Sequence, residues 1–251
     1  MTTSPVESID RALLVLVALA EAGPDGASLA TLADRVGVHK TTLHRALAAL
    51  SFRGFVSQDP ASGVYRLGPA GLTLGDGYLG GDNLAVVLHP ALVALSREVD
   101  ELVHLGVLVG AQIVYLDKVE PQRPVRVWSA VGRRMPAATT ALGRALLLDR
   151  VGTRAALAPY LEPGTTEAVA DRAWSVISGA AATGFVHECE ENEPGIACVA
   201  VPLVRGGATV AAVSVTAPRE RFDDERLAEV ARAMRTVLPA LLPPGVGVRP
   251  V

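Results

Sequence analysis

The sequence predicts an α+β protein built from an N-terminal winged helix-turn-helix, a linker helix and a larger C-terminal α/β domain. Two observations support this prediction. Residues 28–67 place two helical patterns around a glycine and follow them with a hairpin pattern. From residue 84, apolar β-branched runs alternate with amphipathic segments, which is typical of a sheet covered by helices. We place the domains at 1–68 (winged helix-turn-helix), 69–83 (linker helix), 84–242 (second domain) and 243–251 (flexible tail).

The helix-turn-helix pattern is centred on Gly37. In the first helix, Ser28 is a suitable N-cap and Ala33 is small enough to let a second helix pack closely. Gly37 permits the tight turn between the helices. Leu43 and Leu47 then mark the buried face of the second helix. The hairpin that follows completes the order of a winged helix.

The open face of that second helix carries side chains that donate hydrogen bonds. Basic side chains outnumber acidic ones by five to two over residues 28–67. Such a helix suits the major groove, where its donors meet phosphates and base edges. A small helical domain with a merely solvated polar face is the alternative, and the coincidence of turn, basic face and wing disfavours it. The predicted DNA contacts are Ser28, His39, Lys40, Thr41, Thr42, His44, Arg45 and Arg66.

Two further helices flank this unit. Residues 4–21 predict a first helix with Ser8 as a candidate cap, and its predicted apolar face is Ile9, Leu13, Leu16, Val17 and Ala20. Leu72 and Leu79 make the linker helix too apolar for a solvent-exposed linker without packing partners, so we expect it to pack against a second subunit. One reading helix covers only half an operator, which also favours a homodimer or homotetramer.

Composition excludes several classes of protein. The chain has 251 residues, half of them apolar, and a net charge of −3, so there is no overall nucleic-acid signature. Cys189 and Cys198 form neither a disulfide framework nor a zinc-finger spacing. No signal peptide or membrane span is predicted, since the apolar run at residues 12–20 is too short. We therefore expect a cytoplasmic protein that needs no cofactor and no membrane.

The second domain reads as a curved sheet with helices against it. The predicted strands cover residues 102–109, 113–119, 125–129, 185–188, 196–204 and 209–216. The predicted helices cover residues 84–99, 140–149, 154–161, 171–183 and 223–238. A concave sheet of this kind leaves a cavity ringed by loops that supply a few polar groups.

Six segments together resemble the IclR family of bacterial transcriptional regulators. They are SIDRALLVL, LADRVGVHKTTLHRALAAL, YRLGPAGLTLG, GRRMPAATTALGRALL, ECEENEPGIACVAVPL and VAAVSVTAP, in this order along nearly the whole chain. The resemblance implies a winged helix-turn-helix, a linker helix and a C-terminal effector-binding domain with a GAF-like α/β fold. It also implies a dimer or tetramer that represses, activates or does both.

Three segments are candidates to line an effector site. Residues 135–143 place small residues and two hydroxyls before a helix, whose free N–H groups suit a carboxylate. The second segment is Glu188 with Cys198 ten residues further on. In the third, Ser214 and Thr216 share one face of a strand. The resemblance places Glu188, Cys198, Ser214 and Thr216 at family ligand contacts, although a buried structural thiol or a hydroxyl bonded to backbone remains open at each. The predicted effector contacts are Ala138, Thr139, Thr140, Gly143, Glu188, Cys198, Ser214 and Thr216.

The predicted effector is a small organic acid or a related metabolite. Its anionic end is expected near Thr139 and Thr140. Ala138 stands where many members of the resembled family carry a larger polar or aromatic residue, which predicts room for a ligand of some bulk. An ionised Glu188 would repel an anion, so this carboxyl is expected to be protonated, turned away, or paired with a ligand hydroxyl or amine.

Two other functions compete with a metabolite-responsive regulator. The first is an architectural DNA-binding protein without an effector, which leaves the large second domain unexplained. The second is a thiol-dependent enzyme using Cys198 with His104 or His187 as base. No catalytic signature surrounds these residues, so no enzyme activity is expected. Metal binding by Cys198, Glu188 and a histidine has equally weak support.

Overall fold

A computed structural model describes residues 4–79, 83–124 and 127–249. The chain divides into two compact units, Met1–Asn83 and Leu84–Val251. The first unit contains α1 (Glu7–Ala22), α2 (Leu29–Val36), α3 (Lys40–Phe52), β1 (Val56–Gln58), β2 (Tyr65–Leu67) and α4 (Ala70–Leu79). The two strands pair in antiparallel fashion, so this unit is a winged helix-turn-helix followed by a helix.

The turn between α2 and α3 forms as the sequence predicts. Gly37 adopts a left-handed conformation (φ 71°), and its N–H donates to the Ala33 carbonyl. Ala33, Leu43 and Leu47 are buried in one core, which explains why a small residue and two leucines recur here.

The predicted apolar face of α1 is buried only in part, since Leu16 packs against the core. Ile9, Leu13 and Val17 are each more than half exposed, whereas Val15 and Leu19 are fully buried. Because α1 is apolar around most of its circumference, helical periodicity does not choose which side packs against α2 and α3.

The cap of α1 also differs from the prediction, whereas the packing of the linker helix against a second subunit stays a prediction. Val6 occupies the N-cap position of α1 without a side-chain cap, so Ser8 does not cap this helix. In the linker helix α4, Leu72 is 72% exposed. The side chain of Leu79 lies outside what the structure describes.

The second unit is a sheet covered by helices. It contains α5 (Leu84–Val99), β3 (Leu102–Val109), β4 (Gln112–Val119), β5 (Arg134–Pro136), α6 (Ala141–Leu147), α7 (Glu167–Thr183), β6 (Val186–Cys189), β7 (Ile196–Arg205), β8 (Ala208–Pro218), α8 (Asp224–Val237) and β9 (Val246–Val248). Among the described residues, the strand order is β5-β4-β3-β8-β7-β6, and β9 also pairs with β7. Every described pairing in this sheet is antiparallel.

The sheet buries both of its faces. On β8, Val213 and Val215 join the core formed with α5 and α8. Ala212 points the other way, into the core formed with α6 and α7. Because side chains alternate along a strand, Ser214 and Thr216 share the face of Ala212 and lie on the α6 side of the sheet.

Two predicted segments of the second unit are wrong. Residues 127–129 are not in a strand, and residues 125 and 126 lie outside the described part of the chain. The additional strand is β5, which pairs with β4 within the predicted pocket loop.

The segment after Pro243 is not a free tail, because β9 pairs with β7. An unpaired edge of β7 accepts any extended backbone, so a Gly- and Pro-rich composition did not indicate this strand.

Candidate functional site

The exposed side of α3 gathers most of the predicted DNA contacts. His39 is the N-cap of α3, and its Nδ1 lies 3.4 Å from the Thr41 backbone N and 3.2 Å from Thr41 Oγ1. Lys40, His44 and Arg45 are exposed with Thr41, and Thr42 is half-buried. Because Leu43 and Leu47 anchor the opposite side, the helix presents a rigid polar face.

Ser28 and Arg66 have structural partners in this unit. The Ser28 hydroxyl caps α2 by accepting from the Thr31 N–H at 3.1 Å. Arg66 Nε donates to the Pro24 carbonyl at 2.9 Å, and a second guanidinium nitrogen lies 3.6 Å from Asp59. The structure therefore separates these two from the α3 group, and any DNA contact they make competes with bonds inside the domain.

The turn of the wing supplies polar groups that the sequence prediction omitted. Asp59 accepts from the Ser62 N–H, the Ser62 hydroxyl and the Ala61 N–H at 2.7–3.0 Å. These bonds, led by the Ser62 backbone bond, lower the pKa of Asp59. Gln58 is exposed at the same tip and donates to the Gly63 carbonyl at 3.1 Å. The turn composition around Asp59 was the available signal for this group.

A small polar cavity lies on the α6 side of the sheet in the second unit. Its volume is about 30 Å³, which is room for about one water molecule. The register of the strands brings together the sheet residues that line this cavity. Glu188 pairs with Cys198, Cys198 with Thr216, and Ser214 with His104. Cys198 Sγ lies 3.2 Å from Thr216 Oγ1.

Five of the eight predicted effector contacts line this cavity. They are Thr140, Glu188, Cys198, Ser214 and Thr216. Ala138, Thr139 and Gly143 do not line it. An effector contact by these three residues therefore stays a prediction that the cavity lining does not support.

Ala138 and Gly143 serve packing instead. Ala138 is fully buried in the core on the α6 side of the sheet, and its carbonyl accepts from Arg144 Nε at 2.9 Å. A Cβ on Gly143 would meet the Ala137 carbonyl oxygen at 2.1 Å. Glycine is needed here because α6 lies directly against the preceding loop.

The predicted carboxylate site at the start of α6 has no support from Thr140. Its hydroxyl accepts from the Gly143 N–H at 3.1 Å and donates to the Pro136 carbonyl at 2.8 Å. Both hydrogen-bonding functions of this hydroxyl are therefore used by the protein itself. Thr140 therefore stabilises the loop, and its hydroxyl proton is not available to an anion.

Sequence reasoning missed the aromatic wall of the cavity. His104 is 2% exposed, and its ring stacks on Tyr115 with centroids 4.3 Å apart. Its Nε2 lies 2.8 Å from Ser129 Oγ. Burial, helped by the charge of Lys118, lowers the pKa of His104 to about 3, so the ring is neutral at physiological pH. Only the pairing of β3 with β8 brings this histidine to Ser214, and no local pattern encodes that pairing.

Burial also sets the protonation of the acidic groups in the cavity. It raises the pKa of Glu188 to about 7, although Cys198, the Glu191 N–H and Arg144 favour the anion. It raises the pKa of the Cys198 thiol well above its ordinary value. A protonated thiol is a poor nucleophile and a poor metal ligand. Among the described residues, no group of His, Cys, Asp and Glu is arranged to hold a metal ion.

Arg144 organises the loops around the cavity, and the sequence prediction gave it no role. Its side chain is fully buried. It donates to the Ala138 carbonyl, to the His187 carbonyl at 2.6 Å, and to the Glu191 carboxylate in a bidentate pair. It thus joins the loop before α6 to β6 and to the loop that follows β6.

These two units define a class of protein. A winged helix-turn-helix with an exposed polar reading helix, followed by an α/β domain, is the architecture of a DNA-binding transcriptional regulator. No described helix is long and apolar enough to cross a membrane. Residues 8–60 match the IclR helix-turn-helix domain, and residues 76–240 match the bacterial transcriptional regulator IclR C-terminal domain. The chain belongs to the IclR family of transcriptional regulators.

Individual relatives agree with this assignment over nearly their full length. The chain is 32% identical to the HTH-type transcriptional regulator XynR of Escherichia coli (strain K12), covering 89% of this chain and 90% of XynR. It is 36% identical to the HTH-type transcriptional regulator Rv1719 of Mycobacterium tuberculosis (strain ATCC 25618 / H37Rv), covering 91% and 88%. Both relatives are transcriptional regulators rather than enzymes.

A solved structure shares the fold. It is an IclR homolog from Microbacterium hydrocarbonoxydans complexed with 4-hydroxybenzoate, with a TM-score of 0.67 at 23% identity. The match covers 93% of this chain and 100% of the homolog. The α+β architecture predicted from the sequence is therefore confirmed.

Proposed function

We propose that the chain is a homo-oligomeric regulator that reads operator DNA with α3 and the wing, and that a small metabolite in the cavity of the second unit changes its operator affinity. The observation that carries the sensing role is the polar cavity lined by Glu188, Cys198, Ser214 and Thr216. A cavity on which a few polar side chains converge is typical of a small-molecule site. Such a regulator acts in the cytoplasm, where it meets chromosomal DNA.

The proposed DNA contacts fall into two groups. Thr41, His44 and Arg45 are exposed side by side on α3 and are proposed to reach base edges and phosphates. The exposed part of Arg66 is proposed to contact the backbone beside the wing. An operator with two half-sites needs two reading helices, so we propose a dimer or a pair of dimers, to be measured by light scattering.

Thr41→Ala and Arg45→Ala are each expected to weaken operator binding by roughly 1–3 kcal/mol. If Arg45 touches phosphate only, its loss should weaken all sequences alike and flatten the salt dependence. Fluorescence anisotropy at several salt concentrations measures both effects. Arg172→Ala, in the second unit, is the matched control for the loss of an arginine. Wild-type affinity in both α3 variants would remove α3 from the interface.

We propose a small organic acid or a related metabolite as the effector, bound at the cavity, whose lining includes Thr140 at the start of α6. The 4-hydroxybenzoate held by the Microbacterium homolog is a molecule of this class and a suitable first probe. Because the cavity measures about 30 Å³, a ligand of organic size must push its walls apart. A coupling between effector and operator of about 1–3 kcal/mol is typical of such sensors.

The double variant Ser214→Ala/Thr216→Val is expected to abolish the effector response while leaving ligand-free operator binding intact. Both substitutions keep side-chain volume and remove only hydroxyls that line the cavity. The measurement is an operator titration with and without 4-hydroxybenzoate and other small acids. Ser178→Ala/Thr183→Val on α7 is the matched control. A double variant that responds like the wild type would place the effector site elsewhere.

A further inference from the structure

One polar atom in the cavity wall has no partner. Among the described residues, His104 Nδ1 is the only buried side-chain nitrogen or oxygen atom without a hydrogen bond. The residue is 2% exposed. An unpaired polar atom in such a place costs free energy, so it calls for an explanation.

The His104 ring cannot turn to find a partner within the protein. Its other nitrogen, Nε2, is engaged with Ser129 Oγ at 2.8 Å. Its face is stacked on Tyr115 at an angle of 20°. Ser129 is itself tethered, since Lys118 Nζ donates to its carbonyl at 2.6 Å. The ring is therefore held by two neighbours, Ser129 and Tyr115, and Lys118 in turn holds Ser129.

A second hydrogen-bonding residue, Ser214, lies directly across the strand pair from His104. Ser214 pairs directly with His104 across β3 and β8, so both side chains project from the same face of the sheet. Both residues line the cavity. The imidazole is uncharged, because burial lowers the pKa of His104 to about 3. The cavity thus contains a neutral nitrogen and a hydroxyl side by side.

We propose that the effector carries a hydroxyl group that hydrogen-bonds to His104 Nδ1 and to Ser214 Oγ, and that His104 thereby selects hydroxylated small molecules over their deoxy analogues. This inference rests on the proposed function, because it names the ligand chemistry of the same cavity. It adds His104 to the site as the residue that determines specificity.

A hydroxyl fits this position better than a charged group. The Ser129 hydroxyl can donate to Nε2 or accept from it, so Nδ1 presents either an N–H or a lone pair. A hydroxyl serves both cases, whereas a carboxylate only accepts. An ammonium group would meet the positive charges of Lys118 and Arg133.

The test uses pairs of probes that differ by one hydroxyl: 4-hydroxybenzoate and benzoate, lactate and propionate, 3-hydroxybutyrate and butyrate. Dissociation constants are measured on the full chain by calorimetry, with thermal shift as a second readout. For at least one pair, we expect the hydroxylated member to bind roughly tenfold or more tightly, because the deoxy member leaves Nδ1 unpaired. Equal binding within every pair, or no binding by any hydroxylated probe, overturns the inference.

Two substitutions separate the nitrogens of the ring. The side-chain amide of asparagine reaches the position of Nδ1, and that of glutamine reaches the position of Nε2. His104→Gln is expected to lose the discrimination although it can keep the bond to Ser129, whereas His104→Asn should retain part of it. His89→Gln on α5, outside the cavity, is the matched control. Full discrimination in His104→Gln overturns the inference.

Nuclear magnetic resonance provides a readout that needs no variant to fold. Ring ¹⁵N shifts of His104 in the wild type should show a neutral ring, with Nδ1 moving on addition of the tighter hydroxylated probe. An unchanged Nδ1 resonance with bound probe overturns the inference. Operator binding is measured separately, so a chain that binds hydroxylated probes but no DNA would reject the proposed function and keep this inference. If the operator affinity of the chain responds equally well to deoxy acids, the proposed function stands and this inference is rejected.

Discussion

Arg144→Met is expected to lower the free energy of unfolding of the second unit by about 3–5 kcal/mol, because it leaves a buried carboxylate without its partner. The Glu191 side chain is only 7% exposed and faces the fully buried guanidinium. The substitution also leaves the Ala138 and His187 carbonyls without their donor. Methionine keeps most of the apolar volume, so the loss reports on charge and hydrogen bonding rather than on a cavity.

Urea denaturation followed by tryptophan fluorescence measures this effect, since Trp128 and Trp174 both lie in the second unit. Arg154→Met is the matched control: its ion pairs with Glu167 and Asp171 lie at the surface, and such pairs contribute about 1 kcal/mol or less. Arg144→Met/Glu191→Gln should recover part of the loss by removing the unpaired charge. Equal stability of Arg144→Met and the wild type would show that this pair does not support the loops.

Glu188→Gln is expected to become more stable relative to the wild type as the pH rises. The pKa of Glu188 is about 7 in the fold against 4.5 as its ordinary value, so the folded chain holds a proton that the unfolded chain releases. This contribution is complete below pH 4.5 and is lost as the pH rises to about 7. At 1.36 kcal/mol per pKa unit, the whole change is about 3 kcal/mol. Glutamine cannot titrate, so the variant does not lose this stability as the pH rises.

His104 changes the folding stability in the opposite direction with pH, over a pH range that overlaps that of Glu188. Its pKa is about 3 in the fold against 6.5 ordinarily, so stability is lost as the pH falls below 6.5. Wild-type stability should therefore change little between pH 4.5 and 6.5 on account of these two groups, and Glu188→Gln should expose the His104 slope. Urea titrations at pH 5, 6, 7 and 8 measure both. A stability difference between Glu188→Gln and wild type that stays constant over this range would contradict the raised pKa.

The sequence by itself determined the features that arise from neighbouring residues. The turn at Gly37, the polar side of α3 and the alternation of Ser214 with Thr216 depend on periods of a few residues and on one glycine that favours a left-handed backbone. The family resemblance added Glu188 and Cys198, which the structure places in one cavity with those two hydroxyls.

Only the tertiary structure decided which side of a helix is buried and which strands lie next to each other, because the local sequence allows several alternatives. The helix α1 is apolar around most of its circumference, and packing against α2 and α3 decided that Val15 and Leu19 are the fully buried residues. Ala138 lies in the core rather than in the cavity lining, next to its bond with Arg144, which follows six residues later on α6. His104 reaches Ser214 only because β3 pairs with β8, more than a hundred residues further along the chain. Such contacts join residues far apart in the sequence, and local propensities and periodicity carry no information about them.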